Sequence, residues 1–262
     1  GPESGTLTTQ DDGLDIGNLP CGSYQVLITD SNGCSGSQTV EIGGCDEIDA
    51  VCDIIIADRG ATRILVRCMS EDDVRKLRVG DHVVLQDTLF GIRDATLIHM
   101  FDKDRETRLD LGGHAVIHTA PNVKKVPVSN SCPAGYQSIC IGTTTSARME
   151  RFTRPLMEKN GVRMIIGKGG LGDDSAKAFK DLGGVSLAII GGTAALETTW
   201  IEQIVDVDMD DLNPESLWHF RVKDFGPLLV AMDAHGGSLY DAVRTGAQNK
   251  RAAALAHMGI EG

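Results

Sequence analysis

The stretch that most constrains how this chain can fold is residues 143–170. There a run of hydroxyl residues, an amphipathic segment, a short apolar run and a glycine-lysine-glycine loop follow without a gap. Thr143, Thr144, Thr145 and Ser146 offer N-cap oxygens. Arg148, Met149, Phe152, Leu156 and Met157 then keep helical spacing as far as Gly161, a residue type that ends helices. The spacing predicts a helix that starts at the hydroxyl run. Residues 162–166 read as a short buried strand, with Lys168 at its mouth, left uncovered by Gly167, Gly169 and Gly170. Free N–H groups, the positive end of a helix dipole and an arginine on the first turn together favour a carboxylate or phosphate.

Composition limits what such an anion site serves. Against 25 Lys and Arg stand 37 Asp and Glu, a net charge of −12. That balance argues against general nucleic-acid or membrane-surface binding, while a local basic pocket stays open to a small anion. No apolar run reaches the length of a membrane span and no basic-plus-apolar leader is present, so the expected setting is cytoplasmic, or the mitochondrial matrix if the source is eukaryotic. The cysteines, Cys21, Cys34, Cys45, Cys52, Cys68, Cys132 and Cys140, show no C-x-x-C pair and no zinc-type histidine spacing. Their odd count reads as reduced thiols without a metal role, with a local Cys21–Cys34 disulfide left open. Neither Gly167-Lys168-Gly169-Gly170 nor Gly191-Gly192-Thr193 has phosphate-loop spacing, so nucleotide binding is unsupported.

Two parts are expected, an extension over residues 1–50 and a larger domain over 51–262. In the first, residues 23–29 and 37–42 alternate polar and apolar around Asp30-Ser31-Asn32-Gly33, the pattern of a β-hairpin. In the second, strands are expected at 54–56 and 64–66. Ser70 with Asp73 forms a capping box for a helix that runs to Gly80, and a strand follows at 81–85. Residues 102–110 read as a charged loop, 113–119 as a strand, and 121–127 as a proline break. Asp173-Asp174-Ser175 caps a helix through Leu182, and 185–190 is a buried strand entering Gly191-Gly192. Helices are expected at 194–198 and 242–258. Residues 218–222 and 227–232 read as two strands, with Trp218 and Phe220 in the core.

Four runs taken together resemble one known family. They are Thr-Thr-Ser-Ala-Arg-Met-Glu from Thr144, Gly167-Lys168-Gly169 after a strand, Gly191-Gly192-Thr193-Ala194-Ala195, and Trp-His-Phe-Arg-Val-Lys-Asp from Trp218. In that order they resemble the β subunit, or C-terminal domain, of class I fumarases and L-tartrate dehydratases, over residues 64–240. The resemblance implies an α/β fold: a compact swivelling-type domain with a mixed β core flanked by helices, here with an N-terminal hairpin added. Arg93-Asp94-Ala95 resembles the family segment that supplies a substrate-binding arginine. The plainer reading of Arg93 and Asp94 is a surface pair worth under about 1 kcal/mol. Two departures stand out. His99 lies further from this motif than the family's histidine, and Thr119-Ala120-Pro121-Asn122 replaces a Gly-Pro-x-Pro turn.

Reversible hydration and dehydration of a dicarboxylate need cations for two carboxylates, a base for the proton beside one of them, and, in the dehydration direction, an acid or Lewis acid for the departing hydroxide. By resemblance, Arg93 and Arg148 bind substrate, Thr144 is the base, and Lys168 is catalytic, lowering the Thr144 pKa or meeting a carboxylate. The plainer role of Thr144 is an N-cap. The resemblance also implies a [4Fe–4S] cluster carried by a partner α subunit, with no metal ligand in this chain. Fumarate hydration to malate is the expected reaction and tartrate dehydration the alternative. A dicarboxylate-binding or assembly protein without catalysis is the third reading.

Overall fold

The structure is a computed structural model and describes residues 22–29, 35–42, 63–190, 192 and 194–257. The chain divides into two units, Gly1–Val51 and Cys52–Gly262. In the first, β1 (Gly22–Thr29) pairs antiparallel with β2 (Ser35–Ile42), with Tyr24 opposite Val40, as the alternation predicts. The expected turn at 30–33, the strand at 54–56 and the Cys21–Cys34 pairing lie outside the described residues.

The second unit opens with β3 (Arg63–Val66), the single turn α1 (Glu71–Val74), the long strand β4 (His82–Ile92) and α2 (Asp94–Phe101). Next come β5 (Ala115–His118) and a side hairpin of β6 (Asn122–Lys125) with β7 (Tyr136–Cys140). A 3₁₀ segment (Ser146–Phe152) runs directly into α3 (Thr153–Asn160), followed by β8 (Met164–Gly167), α4 (Asp173–Leu182) and β9 (Val185–Ala188). The last elements are α5 (Ala194–Thr199), β10 (Ile201–Asp208), β11 (Leu217–Met232) and α6 (Leu239–His257).

Sheet pairing closes on itself. β4, β5, β8 and β9 run parallel in that order, and β11 pairs antiparallel with both β9 and β4. β3 and β10 extend the sheet beyond that ring. Because strand side chains alternate, each strand serves two cores. Leu89, Ile117, Ile166 and Leu187 join Trp218, Phe220 and Phe225 in one cluster. Phe90, Val116 and Ile165, one residue out of phase, meet Met149, Phe152, Leu156 and Phe179 from the helices in the other. The expected mixed β core flanked by helices is what forms.

Several local expectations need correction. Ser70 and Asp73 do make the capping box, but the helix stops at Val74, well before Gly80. Residues 122–125 form a strand inside the supposed proline break, because their backbone pairs with β7. Residues 217–232 are one strand rather than two. Pro227 lacks an N–H, and the ladder absorbs it through register shifts between Val222 and Leu228 instead of ending. Of the cysteines, Cys132 and Cys140 are free, as reduced thiols were expected to be, while Cys68 is disulfide-bonded, a residue for which no bridge was expected. Phe225 is fully buried against Trp200, ring centroids 5.1 Å apart. Phe225→Ala is expected to lower stability by about 3–5 kcal/mol, read as a shift in the urea unfolding midpoint.

Candidate functional site

Three parallel strands end on one rim, the place where open crevices form in α/β sheets. Arg93 is the first residue after β4, His118 the last of β5, and Lys168 the first after β8. The β5–β8 ladder runs to Ile117 and Ile166. Past that point the hydroxyl run fills the gap between the strands. Thr143 bridges to Thr119, Thr144 N donates to His118 O (2.8 Å), Thr145 bridges to Lys168, and Ser146 N donates to Lys168 O (3.0 Å).

This fastening explains why the hydroxyls do not cap a helix. Thr145 is the N-cap and makes no side-chain cap bond; the first turns are 3₁₀. Thr143 Oγ1 instead donates to buried Glu197 (3.0 Å), and Ser146 Oγ is hydrogen-bonded to His118 Nδ1 (2.9 Å). The α4 cap is corrected in the same sense. Gly172 is its N-cap, Ser175 N donates to Glu150 Oε1 (3.3 Å), and Ser175 Oγ donates to Thr153. Gly167 has a packing reason to be glycine, since a Cβ there would sit 1.7 Å from Ser146 Oγ.

The charged part of the rim centres on Asp94. Arg148 donates from Nε to Oδ1 (3.3 Å) and from Nη2 to Oδ2 (2.8 Å), and Arg93 Nε lies 3.3 Å from Oδ2. Hydrogen bonding to Arg148 holds the Asp94 carboxyl below its usual range, opposed by partial burial and helped by Arg93. The same pairing raises the Arg148 pKa. Arg148 Nη2 also donates to Thr144 Oγ1 (3.2 Å). The cation on the Thr144 hydroxyl is thus Arg148, where the sequence suggested Lys168. Lys168 joins this neighbourhood through its backbone. Its half-buried side chain makes no ion pair or hydrogen bond among the described residues. Arg93 also pairs with Glu215 Oε1 at 3.3 Å.

Arg93, Thr144 and Arg148 therefore form one contact network, with Lys168 stitched beside it. Sequence reasoning missed Glu215, His118 and Ser146, and treated Asp94 only as a partner of Arg93. His99, on the helix that starts at Asp94, contacts Lys103 (2.9 Å) and is bonded to none of these rim residues among the described residues. A surface cavity of about 330 Å³ beside Phe101, Arg105 and Lys159 is lined by none of these rim residues. Among the described residues no group of three or more His, Cys, Asp or Glu side chains could hold a metal. With Cys132 and Cys140 free and Cys68 in a disulfide, the described residues do not fit a [4Fe–4S] cluster.

A ring-closed α/β domain with cations at the carboxyl ends of its parallel strands is the class to which these features belong. Residues 47–243 match the profile described as Fumarase C-terminus, and the chain belongs to that family. The L(+)-tartrate dehydratase subunit beta of Escherichia coli strain K12 is 35% identical over 178 residues, 68% of this chain and 86% of that one. The "Putative L(+)-tartrate dehydratase subunit beta" of Methanocaldococcus jannaschii is 37% identical over 180 residues, 67% and 89% of the two chains. The "Putative fumarate hydratase class I" of Geobacillus stearothermophilus is 36% identical over 183 residues, 70% of this chain but 34% of that longer one.

Burial pushes the His118 imidazole from 6.5 down to about 4, with Asp94 opposing and Arg148 reinforcing the shift. The unfolded chain takes up the proton first. Stability from this group is therefore complete above pH 6.5 and is lost as pH falls towards 4, by on the order of 3 kcal/mol. His114 and His219, also pushed down by burial, act in the same direction. His118→Gln is expected to flatten the fall in urea midpoint between these pH values relative to the wild type, leaving the share of the other two.

Proposed function

We propose that this chain is the β subunit of a hydro-lyase acting on a small dicarboxylate, with the reversible hydration of fumarate to malate as the reaction. What supports the reading is the joining of Arg93, Thr144 and Arg148 through Asp94 on one rim, with Lys168 alongside, in a chain of the Fumarase C-terminus family. Tartrate dehydration is the second reading. It is favoured by the two tartrate dehydratase β relatives, which match along 86% and 89% of their own length.

In this reading Arg93 and Arg148 hold substrate carboxylates. A cation and a carboxylate 4 Å apart attract by roughly 4 kcal/mol at an effective dielectric of 20, before desolvation is subtracted. In the dehydration direction Thr144 takes the proton beside one carboxylate at Oγ1, and in hydration it returns that proton to the same carbon. The Arg148 donor favours the deprotonated oxygen, offsetting the weakness of a threonine base. Lys168 meets the second carboxylate with its uncompensated ammonium. Departure of hydroxide needs a Lewis acid, which we assign to a [4Fe–4S] cluster on a partner α subunit in a hetero-oligomer. Residues 51–262 would form the working domain and residues 1–50 an accessory extension.

Anaerobic co-expression with candidate α chains, followed by fumarate and tartrate assays, tests this. Activity should require both chains, and Lys168→Ala and Arg148→Ala should each cost roughly a hundredfold in kcat/KM. A stable complex that turns over neither substrate would support the non-catalytic reading instead.

A further inference from the structure

We propose that Glu215 is a positioning residue that sets the pose of Arg93. For its catalytic consequence this rests on the hydro-lyase reading above. Arg93 is the N-cap of α2, in extended conformation and with no side-chain cap bond. A guanidinium has no acceptor to offer, so the helix would begin with N–H groups unmet. Glu215, far along the chain, supplies the missing acceptor. Its Oε2 accepts from Ala95 N (2.8 Å), its Oε1 lies 3.3 Å from Arg93 Nε, and its carbonyl accepts from Thr96 Oγ1. One residue thus closes the start of α2 and fixes the arginine that begins it.

Glu215 is itself held firmly. Its N–H donates to Leu212 O (2.8 Å), and the Trp218 indole donates to the carbonyl of neighbouring Pro214 (3.0 Å). Ser216, Leu217 and Trp218 that follow are fully buried. Asp94 Oδ2 accepts a hydrogen bond from Arg93 Nε (3.3 Å) but is shared with Arg148 Nη2 (2.8 Å), whereas the Glu215 carboxylate pairs with no other arginine among the described residues. Both carboxylates engage Arg93 through Nε. The two terminal nitrogens of Arg93 donate no hydrogen bond among the described residues. They are the pair of donors that binds a carboxylate in bidentate fashion. Glu215 therefore orients the guanidinium from behind and leaves its fork for a ligand.

Glu215→Gln separates these roles, since an amide oxygen still accepts from Ala95 N while the charge on Arg93 is lost. The full chain is labelled with ¹⁵N and its arginine Nε–H resonances are recorded, that of Arg93 being identified by its disappearance in Arg93→Lys. The resonance should be ordered in the wild type and should shift or broaden in Glu215→Gln, with that of Arg148 unchanged. In the holoenzyme the same variant should lose about tenfold in kcat/KM while melting near the wild type. An Arg93 resonance unchanged in Glu215→Gln overturns the proposal, as does a changed resonance with unaltered kinetics. Should the glutamine variant not fold, Glu215→Asp, charged but one methylene shorter, takes its place. An unshifted Arg93 signal there counts against the proposal equally. A wild-type holoenzyme inactive on every dicarboxylate would sink the hydro-lyase reading, and the resonances would still decide whether Glu215 anchors Arg93.

Discussion

The antiparallel pairing of β11 with β4 is the contact on which the remainder of the molecule depends. Without it the parallel strands would form an open sheet, and the second half of β4, paired there only with β5, would have an open side. With it, Trp218 stands opposite Gly91 and Phe220 opposite Leu89. The start of β11 is thereby brought to the rim where β4 ends. Gly91 has to be small there, because a Cβ would meet the Phe220 ring at 2.6 Å. One pairing thus fills the core and carries Glu215 to Arg93.

The rim itself combines two kinds of fastening. Neutral bonds between backbone, hydroxyl and buried imidazole hold residues 143–146 against β5 and β8. Charged bonds, more exposed, join Arg93, Asp94, Arg148 and Glu215. The division is physically sensible. A neutral His118 can be buried at modest cost, whereas ionised groups keep part of their hydration unless fully paired. Thr144 belongs to both sets, through its backbone to His118 and through its hydroxyl to Arg148.

What could be read from the sequence was whatever depends on near neighbours. The strand from Trp218 to Val222 with its two core aromatic residues, the helical spacing from Met149 to Met157 and the stop at Gly161 all carry their cause within a few residues, and each has its place in the fold. The hydroxyl run was legible as a special turn but not in its bonding. Its partners Glu197 and His118 lie 54 and 28 residues away. Glu215 follows Asn213-Pro214 and looks like any polar turn residue until Arg93, far upstream, is placed beside it. Pro227 misled for a similar reason. A missing N–H ends a strand only when the neighbouring strands cannot shift register around it.

The counterions already in place on this rim change what arrival of an anion means. Arg93 and Arg148 rest on Asp94 and Glu215, leaving Lys168 as the cation of the group with no ion pair among the described residues. A dicarboxylate entering here would trade places with, or share, existing partners rather than fall into an empty positive field. Long-range attraction would then be that of roughly a single charge, and added salt would slow capture only mildly. Such a surface would choose its ligand by the geometry of exchange more than by the pull of its field.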